Sequence, residues 1–357
     1  MKLFVLFLSL SLTLIGQTTS YVTNLSNDII ETSGLIYLNN RLITHNDSGG
    51  EAALFEINPL TGLVTRKIVI ENASNIDWED ICYDDDYIYI GDFGNNYGNR
   101  TDLKIYKIEQ EEYFNNDTIQ SELLSFKYRD QTDFTSQQFT TSYDAEALIS
   151  INDSLYLFSK NWENFRSTIY ALGKDTGDQE ISAKDTLASN GLITGAEFND
   201  DTNTIVLTGY GLFSAFVLEL KEFHSGLFSN GSSTNYSLEV SSSRQIEGIC
   251  HLNEYDYLVS AESSSSGNAT LYNLSFNPFL INQTKTQTKI YPNPSNTIVT
   301  IDTPKDAVFD LYSETGKLIL KKCKNPLDVS ELPKGIYLLK LEQNKVSLGD
   351  TYKILVE

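Results

Sequence analysis

Hydrophobic positions in residues 21–281 come in short runs rich in β-branched and aromatic side chains, broken by Asn, Asp and Gly, and no stretch holds a 3.6-residue period. The runs recur in a fixed order. A first run falls at residues 35–38, 81–83, 148–151, 198–200 and 249–252; a second at 42–45, 87–90, 155–158, 205–208 and 257–260; a third at 54–57, 105–108, 169–172, 216–220 and 271–274. Fourth runs follow at 65–71, 123–129, 180–187 and 237–241. A glutamate opens each set, namely Glu31, Glu79, Glu146, Glu197 and Glu247, at intervals of 48, 67, 51 and 50 residues. Short strands joined by polar turns, four to a unit and repeated at this period, predict the blades of a β-propeller.

The fifth unit lacks a fourth run, while residues 21–27 form a spare strand with no unit of their own. That strand is expected to complete the last blade and close the ring, removing the free sheet edges at which chains aggregate. Five units, with an insertion of roughly 17 residues in the second near residues 109–143, fill the segment. Five blades is therefore the expectation, with six as the alternative should a divergent unit hide in the insertion.

Residues 282–288, NQTKTQT, read as a polar linker. Beyond it proline becomes frequent: of seven prolines, only Pro59 precedes residue 278. Residues 289–357 predict a second small all-β domain, with strands at 297–301, 308–312, 318–322, 336–342 and 352–356. Its motifs run Ile290-Tyr-Pro-Asn-Pro-Ser, Phe309-Asp-Leu-Tyr-Ser-Glu-Thr-Gly-Lys, Leu327-Asp-Val-Ser-Glu-Leu-Pro-Lys-Gly-Ile-Tyr-Leu-Leu-Lys and Lys353-Ile-Leu-Val-Glu. In that order they resemble the type A C-terminal sorting domain of the type IX secretion system. The resemblance implies an immunoglobulin-like β-sandwich that the type IX secretion machinery reads as an address for crossing the outer membrane.

Residues 1–20 have the layout of a signal peptide: Lys2 at the start, an apolar core from Leu3 to Ile15 too short to span a bilayer, and small or polar residues from Gly16 to Ser20. The expected destination is the outside of the cell or its outer surface, by way of the periplasm, and no later stretch is apolar enough to cross a membrane. The chain carries 26 basic and 48 acidic side chains, a net charge of −22, which repels nucleic acid and favours cations. Its three cysteines, Cys82, Cys250 and Cys323, cannot form a disulfide framework. Cys82 and Cys250 each follow a repeat glutamate by three residues and are expected to be equivalent buried strand positions. Three scattered histidines give poor support for a zinc site.

If each glutamate starts an innermost strand and the next strand runs antiparallel, the start of the first and the end of the second share one mouth. The expected metal ligands at that mouth are Glu31, Asp47, Glu79, Asp92, Glu146, Glu197, Glu247 and Glu262. The expected ligand-binding residues are His45, Asn46, Arg100, Lys160, Asn161 and Tyr210. Carboxylates crowded round a narrow opening raise one another's pKa or recruit a cation, and hard oxygen donors with few histidines favour calcium. The plainer reading is that the glutamates tie neighbouring blades together by accepting backbone N–H bonds.

His45-Asn-Asp-Ser-Gly-Gly, Asp77-Trp-Glu-Asp-Ile and Gly91-Asp-Phe-Gly-Asn-Asn with Arg100 resemble stretches of secreted phytase-like and SdiA-regulated propeller families, with echoes in Asp144-Ala-Glu-Ala-Leu and Gln245-Ile-Glu-Gly-Ile. The resemblance implies a calcium-containing propeller with phosphoesterase or lactonase-like activity. Arg100, Lys160, Arg166 and Arg244 are the basic candidates near the mouth, and Ser48 lacks the strand-turn-helix setting of a hydrolase nucleophile. The function expected is that of a binding or interaction module with an acidic, calcium-holding mouth, facing a small molecule or a surface. The alternative is a calcium-dependent hydrolase of a small ester, lactone or phosphoester.

Overall fold

The computed structural model describes residues 17–211, 214–238, 240, 245–264, 267–277, 289–302, 308–314, 316–342 and 351–357. Residues 1–16 of the expected leader, the linker 282–288 and Arg244 lie outside the described residues. The chain is all-β, with a propeller-like arrangement of sheets followed by a two-sheet sandwich.

From inside outwards, the first sheet orders Thr32–Leu38, Arg41–Asn46, Ala53–Ile57, Val64–Ile70 and Thr118–Ile119. The second orders Trp78–Tyr83, Tyr87–Asp92, Lys104–Glu109, Glu122–Tyr128 and Gly177–Ile181. The third holds Ala145–Ile151, Ser154–Ser159, Ser167–Gly173 and Ala183–Leu187; the fourth Leu192–Asn199, Thr204–Tyr210, Ala215–Lys221 and Ser232–Ser237. The last begins with Ile246–His251, Asp256–Ala261 and Thr270–Ser275, and its outer strand is Thr18–Asn24, antiparallel to Thr270–Ser275. Innermost strands contact one another in ring order, and Ile246–His251 returns to Thr32–Leu38.

Apolar side chains fill the wedges between neighbouring sheets. Ile88 and Ile90 pack with Ile43, Leu54 and Ile68 of the first sheet, whereas Tyr89, between them in sequence, packs with Leu148 and Tyr170 of the third. Both faces of each sheet are thus covered. This is why the second runs read as nearly continuous hydrophobic stretches rather than strict alternations.

Several boundaries differ from the sequence reading. The closing strand starts at Thr18, so residues 18–20, assigned to the leader, pair with residues 273–275. The run at 180–187 is two strands: Ala183–Leu187 completes the third sheet, and Gly177–Ile181 adds parallel to Glu122–Tyr128 of the second. Thr118–Ile119 likewise caps Val64–Ile70 of the first sheet. Both additions cover exposed outer edges. The fourth strand expected at 237–241 lies at Ser232–Ser237, a polar stretch without a hydrophobic signal. Among the described residues the insertion forms a helix, Gln110–Asn115, with Thr118–Ile119 and a long loop. The helix docks through buried Tyr113, whose hydroxyl donates to Glu56 Oε1 at 3.0 Å.

In residues 289–357 one sheet orders Lys289–Tyr291, Ile298–Asp302 and Leu327–Asp328, and the other Leu318–Cys323, Val308–Ser313, Gly335–Glu342 and Thr351–Val356. Val299, Ile301, Phe309, Leu311, Leu339 and Ile354 form the core between them. Among the described residues no helix is long and apolar enough to cross a membrane.

Candidate functional site

Every innermost strand is bulged near its start, with register shifts at 32/35, 78/80, 145/147, 193/195 and 246/249. Bulges re-aim side chains, and here they bring Ser33, Glu79, Glu146, Thr194 and Glu247 to equivalent places. The next position is Gly34, Asp80, Ala147, Gly195 or Gly248. A Cβ on Gly195 would lie 2.0 Å from Glu247 O, and one on Gly248 2.3 Å from Ser33 O, so the strands approach too closely for most side chains. Asp80 alone projects a long polar group at this level. It accepts the main-chain N–H of Ile81 at 2.9 Å, of Leu148 at 2.8 Å and of Ala196 at 3.2 Å. Asp80 therefore plugs the channel and joins three sheets.

One end of the ring opens into a cavity of ≈ 280 Å³. Glu31, Asp47, Glu79, Glu146, Glu247 and Glu262 line it, as do Lys160 and Tyr210. The sequence reading thus brings together eight of its fourteen site residues.

Asp47, Asp77 and Glu79 form the tightest group, offering carboxylate oxygens within 4.8 Å of one another. Ring geometry makes this possible: Asp47 directly follows the second strand of the first sheet, and an isolated bridge between Ser48 and Asp77 holds it against the second. Gly94 closes the group from outside, since a Cβ there would lie 1.9 Å from Glu79 Oε1 and 2.4 Å from Asp77 Oδ2. Asp47 Oδ1 is buried and has no donor. Burial, then the charges of Asp77 and Glu262, push Asp47 up to about 8; burial and Asp144 push Asp77 up to about 6; burial and Glu146 raise Glu79 well above the carboxylate range. Three hard oxygen donors that repel one another, one of them holding a buried oxygen without a donor, fit a calcium ion.

The other side of the cavity is organised around Lys160. Burial pulls its pKa down, but Glu146, Glu247, Tyr210 and Asp144 outweigh it and leave the ammonium well above its ordinary value. Lys160 Nζ sits 3.0 Å from Glu146 Oε2 and lies over the rings of Trp162 and Tyr210 at 5.2 and 5.3 Å. Glu146 Oε1 has no donor and faces Asp144, which accepts the Trp162 Nε1–H at 2.7 Å and the Asn95 N–H at 2.6 Å.

Six expected residues are placed elsewhere. Asp92 is fully buried and paired with Arg100 at 2.9 Å and Lys104 at 3.4 Å, off the mouth. Arg100 also donates to Gly94 O at 2.9 Å, so it fixes the Gly/Asn loop rather than facing a ligand. His45 is buried edge-on against Trp78, and burial lowers its pKa to about 4. Asn46 spends its side chain on Glu31 N and Asp28 O. Asn161 is buried and accepts the Glu163 N–H. Arg166, a basic candidate outside those fourteen, is exposed and does not line the cavity.

Glu197 is the sixth and lies at the opposite end of the ring. Its equivalent of Glu247 is Thr194, whose hydroxyl donates to Ile246 O at 2.5 Å, and Glu197 stands three residues further along the strand. There it is hydrogen-bonded to His251 Nδ1, beside a second cavity of ≈ 350 Å³ that Cys82, Asp84 and Lys174 also line. The repeat spacing hid this shift, because Glu-Phe at 197 mimics the local pattern one turn of register too late. Cys82 and Cys250 are equivalent and buried, as expected.

The sequence reading named Asp77 only within the Asp77-Trp-Glu-Asp-Ile motif and did not place Phe139, Asn96 or Gln245 at the mouth, although all three line it. Phe139 lies in the insertion loop, where hydrophobic patterning carries no signal. Its N–H donates to Asn96 O at 2.9 Å, which folds the loop over the opening.

Residues 289–357 match the family described as secretion system C-terminal sorting domain, the tail of type IX secretion substrates. The tail implies handling by the type IX machinery, with export and either release or attachment at the cell surface. No curated protein sequence matches the chain. Among solved structures, a PQQ-bound aldose sugar dehydrogenase from Streptomyces coelicolor aligns over 73% of this chain and 98% of its own at 9% identity and TM-score 0.42. A glucose dehydrogenase aligns over 72% and 99% at 7% and 0.42, and a GH43_1 enzyme from Xanthomonas citri over 72% and 89% at 10% and 0.42.

Proposed function

We propose that this chain is an exported binding protein whose ring mouth holds a calcium ion between Asp47, Asp77 and Glu79. The observation that carries the reading is the approach of their oxygens to within 4.8 Å, with Asp47 Oδ1 buried and lacking a donor. Like charges at that distance need protons or a cation. Calcium would take these carboxylates and complete its usual six to eight oxygens from water and a bound ligand. On the protein's side, Gly94 and the 48/77 bridge hold the carboxylates, Arg100 and Asp92 brace the loop behind them, and Asp80 closes the channel beneath. In this reading the segment ahead of Thr18 directs the chain to the periplasm and residues 289–357 carry it across the outer membrane.

Binding is preferred over hydrolysis because of Lys160. It is the one basic side chain lining the cavity among the described residues, and it is tied to Glu146 with a raised pKa, so it neither grips a phosphate freely nor acts as a base. The test is titration calorimetry of the full chain with calcium, followed by a panel of small esters, lactones and phosphoesters with and without EDTA. Calcium uptake with no turnover supports the binding reading. EDTA-sensitive turnover that Glu79→Gln removes would replace it with the hydrolase, and absence of calcium uptake would remove the calcium site from both.

A further inference from the structure

We infer that the ligand of this mouth is a neutral sugar, entering one ring deep; the inference rests on the reading of the mouth as a binding site. Part of the cavity lining is aromatic. Phe139 and Trp162 stand 4.5 Å apart at an interplanar angle of 43°, and both line the cavity. Phe139 is 48% exposed and is held at φ 57°, a conformation unfavourable for a bulky side chain. Its main chain is pinned to Asn96, and Trp162 is pinned through Nε1 to Asp144. Phe139 thus presents a half-exposed aromatic ring to the cavity.

Hydrogen-bonding groups share the cavity with that ring. Glu146 is nine-tenths buried, lines the cavity and has an Oε1 without a donor. Glu79 and Glu247 stand beside it. A ligand that satisfies both kinds of lining has an apolar face and an edge of hydroxyls, which is the chemistry of a sugar ring. Its hydroxyls donate to the carboxyl oxygens and can replace water on calcium. An anionic ligand meets six acidic side chains against one lysine. A cationic ligand finds the place between Trp162 and Tyr210 already filled by Lys160 Nζ. At ≈ 280 Å³ the cavity is just below the lower end of ligand sites, roughly 300 Å³, so one ring enters and the rest of a glycan lies outside.

The chain has two tryptophans, and Trp78 is fully buried, so a ligand-dependent change in emission reports Trp162. The experiment titrates the full chain with neutral monosaccharides and their short oligomers, in saturating calcium and again in EDTA, with a sugar acid and choline as controls. Saturable change with a neutral sugar, weakened about tenfold by Phe139→Ala while the calcium-dependent rise in Tm persists, is the expected result. Sugar binding that survives EDTA in a chain that takes up no calcium keeps this inference and removes the calcium reading. Calcium uptake with no response to any neutral sugar, a response to choline or sugar acid alone, or full sugar affinity in Phe139→Ala overturns it.

Discussion

Asp80 Oδ2 accepts the Leu148 main-chain N–H at 2.8 Å across the ring, and the same oxygen reaches the Ala196 N–H at 3.2 Å. One fully buried side chain of the second sheet thus binds the third and fourth, at the level where Gly195 and Gly248 let the inner strands approach closely. Burial raises its pKa, and the N–H bonds of Leu148, Ile81 and Ala196 oppose that rise.

Replacing Asp80 by Ala leaves those three N–H groups unpaired in the interior. Each stranded donor costs about 1–3 kcal/mol, and the expected loss is about 3–5 kcal/mol in urea unfolding, with Asp80→Asn milder because one oxygen remains. A loss below about 1 kcal/mol for Asp80→Ala would show that the plug is not structural.

Glu79 and Glu197 look alike in sequence but occupy opposite ends of the ring. Glu79→Gln and Asp77→Asn are expected to abolish the calcium-dependent rise in Tm, and Glu197→Gln to leave it intact. At calcium a hundredfold above Kd the stabilisation at stake is about 2.7 kcal/mol. Differential scanning fluorimetry of the three variants decides the matter, and a calcium response lost in Glu197→Gln would contradict the assignment.

Asp47 and Glu247 are raised to about 8 and Asp77 to about 6, burial being the first cause in each case. The folded chain therefore holds protons that the unfolded chain has released, and stability without a cation falls as pH climbs from the ordinary carboxylate range to about 8. Melts in EDTA should show Tm decreasing over that window, and calcium should flatten the slope. A Tm in EDTA that increases steadily with pH would refute the electrostatic account of the mouth.

His251 sits in the second cavity between Glu197 on one nitrogen and Asp200 at 3.8 Å from the other. Burial lowers its pKa, but Glu197, Asp200 and Asp201 overcome that and leave it raised, with Lys174, Asp84 and Asp85 lining the same space. Its contribution to stability is complete below the unfolded value of about 6.5 and is lost as pH rises through the folded one. NMR titration should find His251 above the ordinary histidine value, and Glu197→Gln should bring it down, since burial then acts with less opposition. An unchanged midpoint in that variant would remove Glu197 as the cause.

Strand order, the closing role of the N-terminal strand, the buried equivalence of Cys82 and Cys250, and the sorting tail were all legible in the chain, because each is written in local spacing or in contiguous motifs. So was the sign of the mouth, since acids recur at the starts of inner strands. The residues at 110–119 and 177–181 were not legible: they cap the outer edges of sheets, where few side chains are buried and little hydrophobic signal is needed.

What the amino-acid order determined, then, was which segments are strands and that acids gather at one opening. Only the folded ring decided that Asp77 meets Asp47, that Glu197 faces away, that Phe139 folds over the mouth and that Asp80 spans the axis. The reason is physical. Hydrophobic periodicity reports burial one strand at a time, whereas a bulge shifts a side chain's direction and ring closure joins residues far apart in sequence, and neither leaves a mark in the local pattern.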